Sequence, residues 1–316
     1  MNRYEANFPL MGTMINLLIY HTHGEKVLNE AYNLLLEFET RFTVNRTHSE
    51  LMEINKNAGR KPIYVKEDIF ELIKLSKNIS IQANTPFNIA IGPLVKAWRI
   101  GFNNAKRPTD QEIADCLSLV NPKNILLNQK DKTIYLTKER MELDLGSIAK
   151  GYFADQIKKI FLNHGVSSGF IDLGGNVLTI GCSPNNLNNN WVVGIQNPFK
   201  PRGNMICAVL TKDCSVVTSG IYERFLSVDN KRYHHILDSI TGAPIITNIA
   251  SITIISKQSL DGEIWSTAGF LSNAQQSIEF LNQQTNIEAI VITCDERIYL
   301  TNGLVRNNLC IQKIVE

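Results

Sequence analysis

The chain has 316 residues, 44% apolar and 20% charged, an ordinary globular composition that excludes disordered, collagen-like and disulfide-scaffold classes. Its 32 basic and 30 acidic residues leave a net charge of +2, so neither nucleic acid nor an anionic membrane is expected as the main partner. No apolar run reaches the ~18–20 residues needed to span a bilayer. Residues 1–13 (MNRYEANFPLMGT) show neither a signal-peptide pattern nor a lipobox-like cysteine. The expectation is a cytoplasmic protein, or an extracytoplasmic membrane-associated one if a leader has been trimmed.

In chain order, residues 12–20 (GTMINLLIY) predict a strand. Val27, Leu28, Ala31, Leu34, Leu35 and Phe38 recur at helical spacing and predict an amphipathic helix over 25–41. Asn45 and the SEL segment at 49–51 follow in a polar loop. Ile69, Leu72, Ile73 and Ile79 predict a second helix over 67–83. Thr109 and Glu112 form a capping box that opens a helix to about Val120. NILLN (124–128) and TIYLT (133–137) flank a polar turn and predict a hairpin. Residues 147–164 read as a helix with Gly165 as its stop. FIDL, WVVGIQN, ICAVLT, SVVT, ITIIS, AIVIT and RIYL then read as strands, interrupted by helices from about 262 and over 274–284. Strands and helices mix without strict βαβ alternation, which favours α+β over a doubly wound sheet. No linker is visible, so 1–316 reads as a single domain, its subdomains, where there are two, closely packed.

Cys116, Cys182, Cys207, Cys214, Cys294 and Cys310 form no CxxC pair and sit mostly in apolar contexts. They read as buried free thiols, suited to a reducing compartment. The histidines show no HExxH spacing, and His21 and His23 read as surface residues.

Five segments carry chemistry. In 143–151 (LDLGSIAKG) a strand ends at Asp144, small residues follow, and a helix begins. Such a turn offers backbone NH groups and a helix N-terminus to an anion, and lets carbonyls approach a metal. Small residues before a helix alone read as tight packing; Asp144 and Lys150 point to function. DLGGN (172–176) lacks GxGxxG and GxxxxGK[ST], and serves a structural turn or a close ligand approach equally well. TSGIYER (218–224) precedes YHHILD (233–238) and TGAP (241–244). His235 fits a satisfied structural histidine or a proton shuttle oriented by Asp238. Glu263 and Thr267 are i, i+4 and share a helix face, offering hard oxygens suited to Mg²⁺. Taken alone, they read instead as a surface glutamate and a hydroxyl bonding back to its helix. In 85–98 (TPFNIAIGPLVKAW), Phe87 and Trp98 cover an aromatic ligand or fill the core, with the core favoured for Trp98.

Together and in this order, MGT, SEL, PFN–IGPLV, DLGSIAKGYFAD, DLGGN, TSGIYER, HHILDSITGAP and the Glu263/Thr267 helix resemble the ApbE family, the FAD:protein FMN transferases. The match runs from Met11 to about Leu271. The resemblance implies a compact α+β fold with an FAD site between two closely packed halves. It implies an enzyme that uses Mg²⁺ to cleave the FAD pyrophosphate, joins FMN by a phosphoester to a Thr or Ser of a target flavoprotein, and releases AMP. Carried over, Met11, Asn45, Pro86, Phe87 and Asn88 would line the flavin nucleotide. Asp144 and Lys150 would contact FAD. Ser147, through its carbonyl, would join Glu263 and Thr267 as metal ligands. His235 would sit at the reacting centre, with the Ile236 backbone against the cofactor. Glu263 would serve both metal and catalysis.

The chain departs from the family pattern at four places. Glu263 stands where Asp is usual, with Asp261 as a substitute if the helix starts differently. The FD pair reads Phe87-Asn88. Asn45 stands where many transferases carry Tyr, and some relatives with Asn hydrolyse FAD to FMN and AMP. HIxDP reads HILDS, with Ser239 in place of Pro. The alternatives are therefore an Mg²⁺-dependent FAD pyrophosphatase, suggested by Asn45, and a non-catalytic flavin-binding protein, suggested by Asn88 and Glu263.

Overall fold

The structure is a computed structural model that describes residues 1–82, 85–186, 189–307 and 312–313. The chain opens with β1 (Asn2–Leu10), β2 (Thr13–His21), α1 (Gly24–Phe42), α2 (Glu50–Lys56), β3 (Ile63–Tyr64), α3 (Glu67–Ile81), α4 (Gly92–Trp98) and α5 (Asp110–Leu117). Next come β4 (Ile125–Asn128), β5 (Thr133–Leu136), α6 (Ala149–Asn163), β6 (Ser168–Leu173), β7 (Asn176–Gly181), β8 (Trp191–Gln196) and β9 (Met205–Thr211). It closes with β10 (Ser215–Gly220), β11 (Phe225–Val228), β12 (Lys231–His234), β13 (Ile249–Ser256), α7 (Ser259–Ala268), α8 (Ala274–Asn282), β14 (Ile287–Thr293), β15 (Ile298–Leu300), α9 (Asn302–Asn307) and β16 (Gln312–Lys313). The α+β expectation holds.

Eight strands form an antiparallel sheet in the order β1-β2-β6-β7-β10-β13-β14-β15. Alternation sends successive side chains to opposite faces. On β14, Ala289 and Val291 join one apolar cluster with Phe270, Ile278 and Leu281, while Ile290 and Ile292 join another with Val193, Val209 and Leu304. Helices α1, α6 and α7 cover the β2–β6–β7 part of the sheet: Ile15, Leu17, Ile171 and Leu178 pack with Leu35, Phe38, Phe153, Ile157, Leu260 and Ile264. The apolar positions of α1, from Val27 to Phe42, are its buried face. A smaller cluster gathers Leu94, Trp98, Ile100, Val120 and Leu237 beside α5. Trp98 is core, as expected, and donates its indole N–H to the Gly242 carbonyl (2.8 Å).

Several boundaries differ from expectation. Residues 50–56 are a helix, because Ser49 Oγ accepts from Met52 N and caps it. The capping box at Thr109 is present, but α5 stops at Leu117, short of Val120. Strand β1, unread in the sequence, alternates exposed and half-buried residues along the sheet edge, where one solvated face leaves little apolar signal. Cys207 is buried, Cys116, Cys182 and Cys214 are half-buried, and Cys294 is exposed, all as free thiols; Cys310 lies outside the described residues.

Candidate active site

The run expected to end a strand at Asp144 is extended but pairs with no strand. Leu143 N donates to Asn55 Oδ1 (2.8 Å) and Leu143 O accepts from Asn55 Nδ2 (3.0 Å). Asp144 N donates to the Ile89 carbonyl (2.9 Å). A side-chain amide and one carbonyl thus do the work of a ladder. Asp144 Oδ1 then accepts from Gly146 N (2.7 Å), an Asx turn that reverses the chain. Ala149 N donates to Leu145 O, and α6 begins just after Ser147.

Helix α7 lies against the start of α6, and Gly151 is why it can. A Cβ there would come 2.5 Å from the Ser259 carbonyl and 2.8 Å from Glu263 Cγ. The approach puts Lys150 Nζ 3.5 Å from Glu263 Oε1. Asn176 Nδ2 also donates to that oxygen (2.8 Å). Asn176 itself is oriented by Ser259 Oγ, which donates to its Oδ1 (2.6 Å). Glu263 is only 5% exposed, so the surface-glutamate alternative is overturned. Burial of this carboxylate is tolerated because it is hydrogen-bonded and faces a cation.

Helix α7 starts at Ser259, earlier than residue 262. Asp155 of α6 supplies the cap: its two carboxylate oxygens accept from Ser259 N (2.8 Å) and Leu260 N (2.9 Å). Two residues along a helix is a turn of about 200°, so Asp261 points away from the face that Glu263 and Thr267 share. Ser219, from the TSG segment, binds Ser266 hydroxyl to hydroxyl (2.8 Å) and ties α7 to β10. The positioning residues Asp155, Asn176, Ser219 and Ser259 carry no local sequence signal for these roles; their partners come from distant segments.

Two tight turns flank this bed. Met11 and Gly12 have φ of 53° and 72°, and Gly174 and Gly175 have 71° and 93°, the paired positive values of two-residue hairpin turns. A Cβ on Gly174 would overlap the Thr13 hydroxyl, so the two turns touch. Met11 N donates to Glu39 Oε1 (3.0 Å), and Arg46 binds Glu39 Oε2 (2.7 Å). Asn45, beside Arg46, is exposed. A single glutamate therefore links the Met11 turn to the Asn45 loop.

The His235 loop closes the other side. Neither oxygen of Asp238 reaches His235. Asp238 Oδ1 accepts from Ile240 N (2.8 Å) and Oδ2 from Thr241 Oγ1 (3.0 Å), which builds the turn instead. His235 is held by Arg224, whose carbonyl meets both its N–H and its Nδ1, each at 3.2 Å. Nδ1 therefore carries the proton, and Nε2 keeps its lone pair. Burial, aided by the charges of Arg224 and Lys150, pushes the His235 pKa down to about 4. The Asp144 carboxyl is pushed up by burial, against the pull of its Gly146 bond, Arg224 and Lys96. Asp144, Lys150, Arg224 and His235 thus share one field. The Ile236 backbone is engaged within the loop: its N–H meets His234 Nδ1 (3.3 Å) and its carbonyl accepts from Ile245 N (3.1 Å).

Pro86 is half-buried, and Phe87 and Asn88 are buried. Asn88 Nδ2 donates to Val120 O and its Oδ1 accepts from Ala90 N, both at 2.8 Å. Its amide both donates and accepts in shaping the loop that carries Ile89, the anchor of Asp144. Ser147 stands at the start of α6, and Thr267 lies one turn beyond Glu263 on α7. Among the described residues there is no group of three or more His, Cys, Asp or Glu able to hold a metal. A metal here would draw on hydroxyl and carbonyl oxygens beside one carboxylate.

Comparison with known proteins decides the family: the ApbE family model matches residues 11–291. The chain belongs to the ApbE family. An FAD:protein FMN transferase of Klebsiella pneumoniae (strain 342) is 39% identical over 299 residues, covering 95% of this chain and 92% of that protein. A Treponema pallidum (strain Nichols) protein of the same name is 32% identical over 311 residues, covering 94% and 86%. The crystal structure of the ApbE protein from Thermotoga maritima superposes with a TM-score of 0.88 at 26% identity, covering 96% of this chain and 99% of that one. The flavin transferase ApbE from Vibrio cholerae, at 22% identity and a TM-score of 0.82, shares the fold. The ApbE matches span the turns, α6, the His235 loop and α7. No helix among the described residues is long and apolar enough to cross a membrane.

Proposed function

We propose that this ApbE-family chain is an Mg²⁺-dependent FAD:protein FMN transferase. It cleaves the FAD pyrophosphate, joins FMN through a phosphoester to a Thr or Ser of a target flavoprotein, and releases AMP. The observation that carries the reading is the meeting of Lys150 and Glu263 at 3.5 Å beside the glycine-rich turn. A cation and a buried carboxylate there flank the N-terminus of a 15-residue helix, whose dipole favours a phosphate. The names of the relatives support the same substrate.

The donor chemistry fits Mg²⁺. Glu263 Oε1 takes both of its protein partners, which leaves Oε2 for a ligand. The Thr267 hydroxyl and the Ser147 carbonyl would complete a set of hard oxygens. When bound, the ion supplies neutralisation of charge gained by the pyrophosphate oxygens. The chain's own residues bind, orient and move the proton. Lys150 faces the phosphates. Asp144 holds the turn open for them. His235 Nε2 accepts the proton of the acceptor hydroxyl, whose oxygen forms a bond to the FMN phosphorus while the bond to AMP breaks with its electron pair. Positioning and charge neutralisation supply most of such a transfer.

A second reading has its own observation: Asn45 is exposed and short, which leaves an approach to water. Product analysis separates the readings. The protein is incubated with FAD and Mg²⁺, with and without a flavoprotein carrying an acceptor threonine. Covalent in-gel flavin fluorescence with matching AMP supports transfer. FMN and AMP at equal rates without acceptor establish a pyrophosphatase. Intact FAD after prolonged incubation rejects both and leaves a binding protein.

A further inference from the structure

The loop holding His235 contains an antiparallel pairing in which a side chain stands in for a backbone bond. Leu237 pairs with Pro244. On one side Asp238 N donates to Ala243 O (2.9 Å), and on the other Ile245 N donates to Ile236 O (3.1 Å). In an ordinary ladder Ile236 and Ile245 would exchange two bonds, the second from Ile236 N to Ile245 O. That bond is replaced by a side chain. Ile236 N donates to His234 Nδ1 (3.3 Å), and His234 Nε2 donates to Ile245 O (2.9 Å). The imidazole is spliced between the two arms. It is 8% exposed, and both of its nitrogens are spent on backbone.

The two adjacent histidines are therefore locked in opposite tautomers. His234 carries its proton on Nε2, and His235 on Nδ1. The backbone between them is pinned on both sides: the His234 ring grips the 245 arm, and the Arg224 carbonyl grips His235. A ring filling the gap sets how far the arms part, and so which way His235 Nε2 faces. We propose that His234 is a positioning residue for His235, its neutral imidazole acting as a spacer that replaces one ladder bond and fixes the orientation of the reacting histidine. The inference rests on the transferase reading for its catalytic consequence, but its structural content is independent of turnover.

The test compares His234→Phe, which keeps a ring but makes neither bond, with His234→Gln, whose amide offers one acceptor and one donor and does not titrate. Three readouts are taken: FAD affinity by flavin fluorescence, kcat for FMN transfer, and the titration of the His235 Cε1 proton by NMR. For His234→Phe the expectation is a kcat lowered about tenfold or more with FAD affinity within about threefold. The His235 titration should move from about 4 toward the ordinary 6.5. His234→Gln should keep kcat within about threefold of the parent. A His234→Phe protein with parental kcat and an unmoved His235 titration overturns the proposal, as does a His234→Gln protein that falls equally far. Should His234→Phe not fold, His234→Asn takes its place, since its oxygen can meet Ile236 N while the bond to Ile245 is lost. A parental His235 titration in that variant also overturns it. Failure of the transferase reading shows separately, as absence of FAD cleavage by the parent protein.

Discussion

Lys150 Nζ lies 3.5 Å from Glu263 Oε1, and the two residues reach each other only because Gly151 lets α7 settle on α6. The carboxylate is not spent by this pair. The ammonium is about one-third exposed, so its attraction is screened and weak, and Asn176 shares the same oxygen. On the proposed reading, a buried acid held by an amide and a one-third-exposed cation is where Mg²⁺ would take the place of the lysine.

Glu263→Gln preserves the acceptor for Asn176 and should fold, with a melting temperature close to the parent. Activity should fall on the order of 10- to 100-fold or more, with the Mg²⁺ concentration for half-activity raised, while FAD affinity changes little. Thr267→Ala should shift the same curve by a smaller amount. Removing metal with EDTA should abolish AMP release and leave FAD bound. Titrating Mg²⁺ against each variant checks this; an unaltered metal requirement in Glu263→Gln would remove it from the metal site.

Gly151→Ala tests the helix contact itself. The new methyl group would lie 2.5 Å from a backbone carbonyl, which cannot swing aside as a side chain can. Overpacking of this kind costs about 1–3 kcal/mol. Thermal unfolding should show that loss, and activity should fall with it as Glu263 is pushed from Lys150. An alanine variant as stable and active as the parent would mean that α6 and α7 are not in contact here.

His235 supplies a pH dependence whose sign can be worked out. Its folded pKa of about 4 lies below the ordinary 6.5. Between those values the unfolded chain binds a proton that the folded chain refuses, so stability rises with pH across the window. The contribution is complete above pH 6.5 and is lost as pH falls toward 4. His234, also depressed by burial, acts in the same direction. His235→Gln should therefore make the fall in stability on the acid side shallower, measured by chemical denaturation from pH 7 to 4. If His235 is the base, parental kcat should lack an inflection near the ordinary histidine pKa.

Much of this site was legible in the chain because each piece is local. The four-residue spacing of Glu263 and Thr267 places them on one face, and the Thr109 capping box needs only its own turn. Relations between pieces were not legible. Asp238 looked like the partner of His235 by proximity in sequence, yet a carboxylate three residues away serves its own turn more readily. Asn88, read as replacing a charge at the cofactor, has its amide committed to Val120 and Ala90. The Asp-Asn turn of the β11–β12 hairpin, with φ of 51° and 56° at Asp229 and Asn230, joins strands of four residues each, too short for their alternation to stand out in the sequence.

The start of α7 gives the last test. Gln258 precedes the helix and offers it no side-chain cap, so a local reading places the start later. Asp155 reaches across from α6 and takes both of the first N–H groups. Loss of such a cap costs typically 0.5–2 kcal/mol, about 1 in most hosts. Asp155→Ala should lose about that much stability, and Asp155→Asn less, since one oxygen remains. Because the cap fixes where α7 begins, it also fixes the rotation that buries Glu263. Activity in Asp155→Ala should therefore fall further than stability alone explains at a temperature where the variant is fully folded. Kinetics at 25 °C beside a melting curve measures both; a variant that loses stability but keeps full kcat would confine Asp155 to capping.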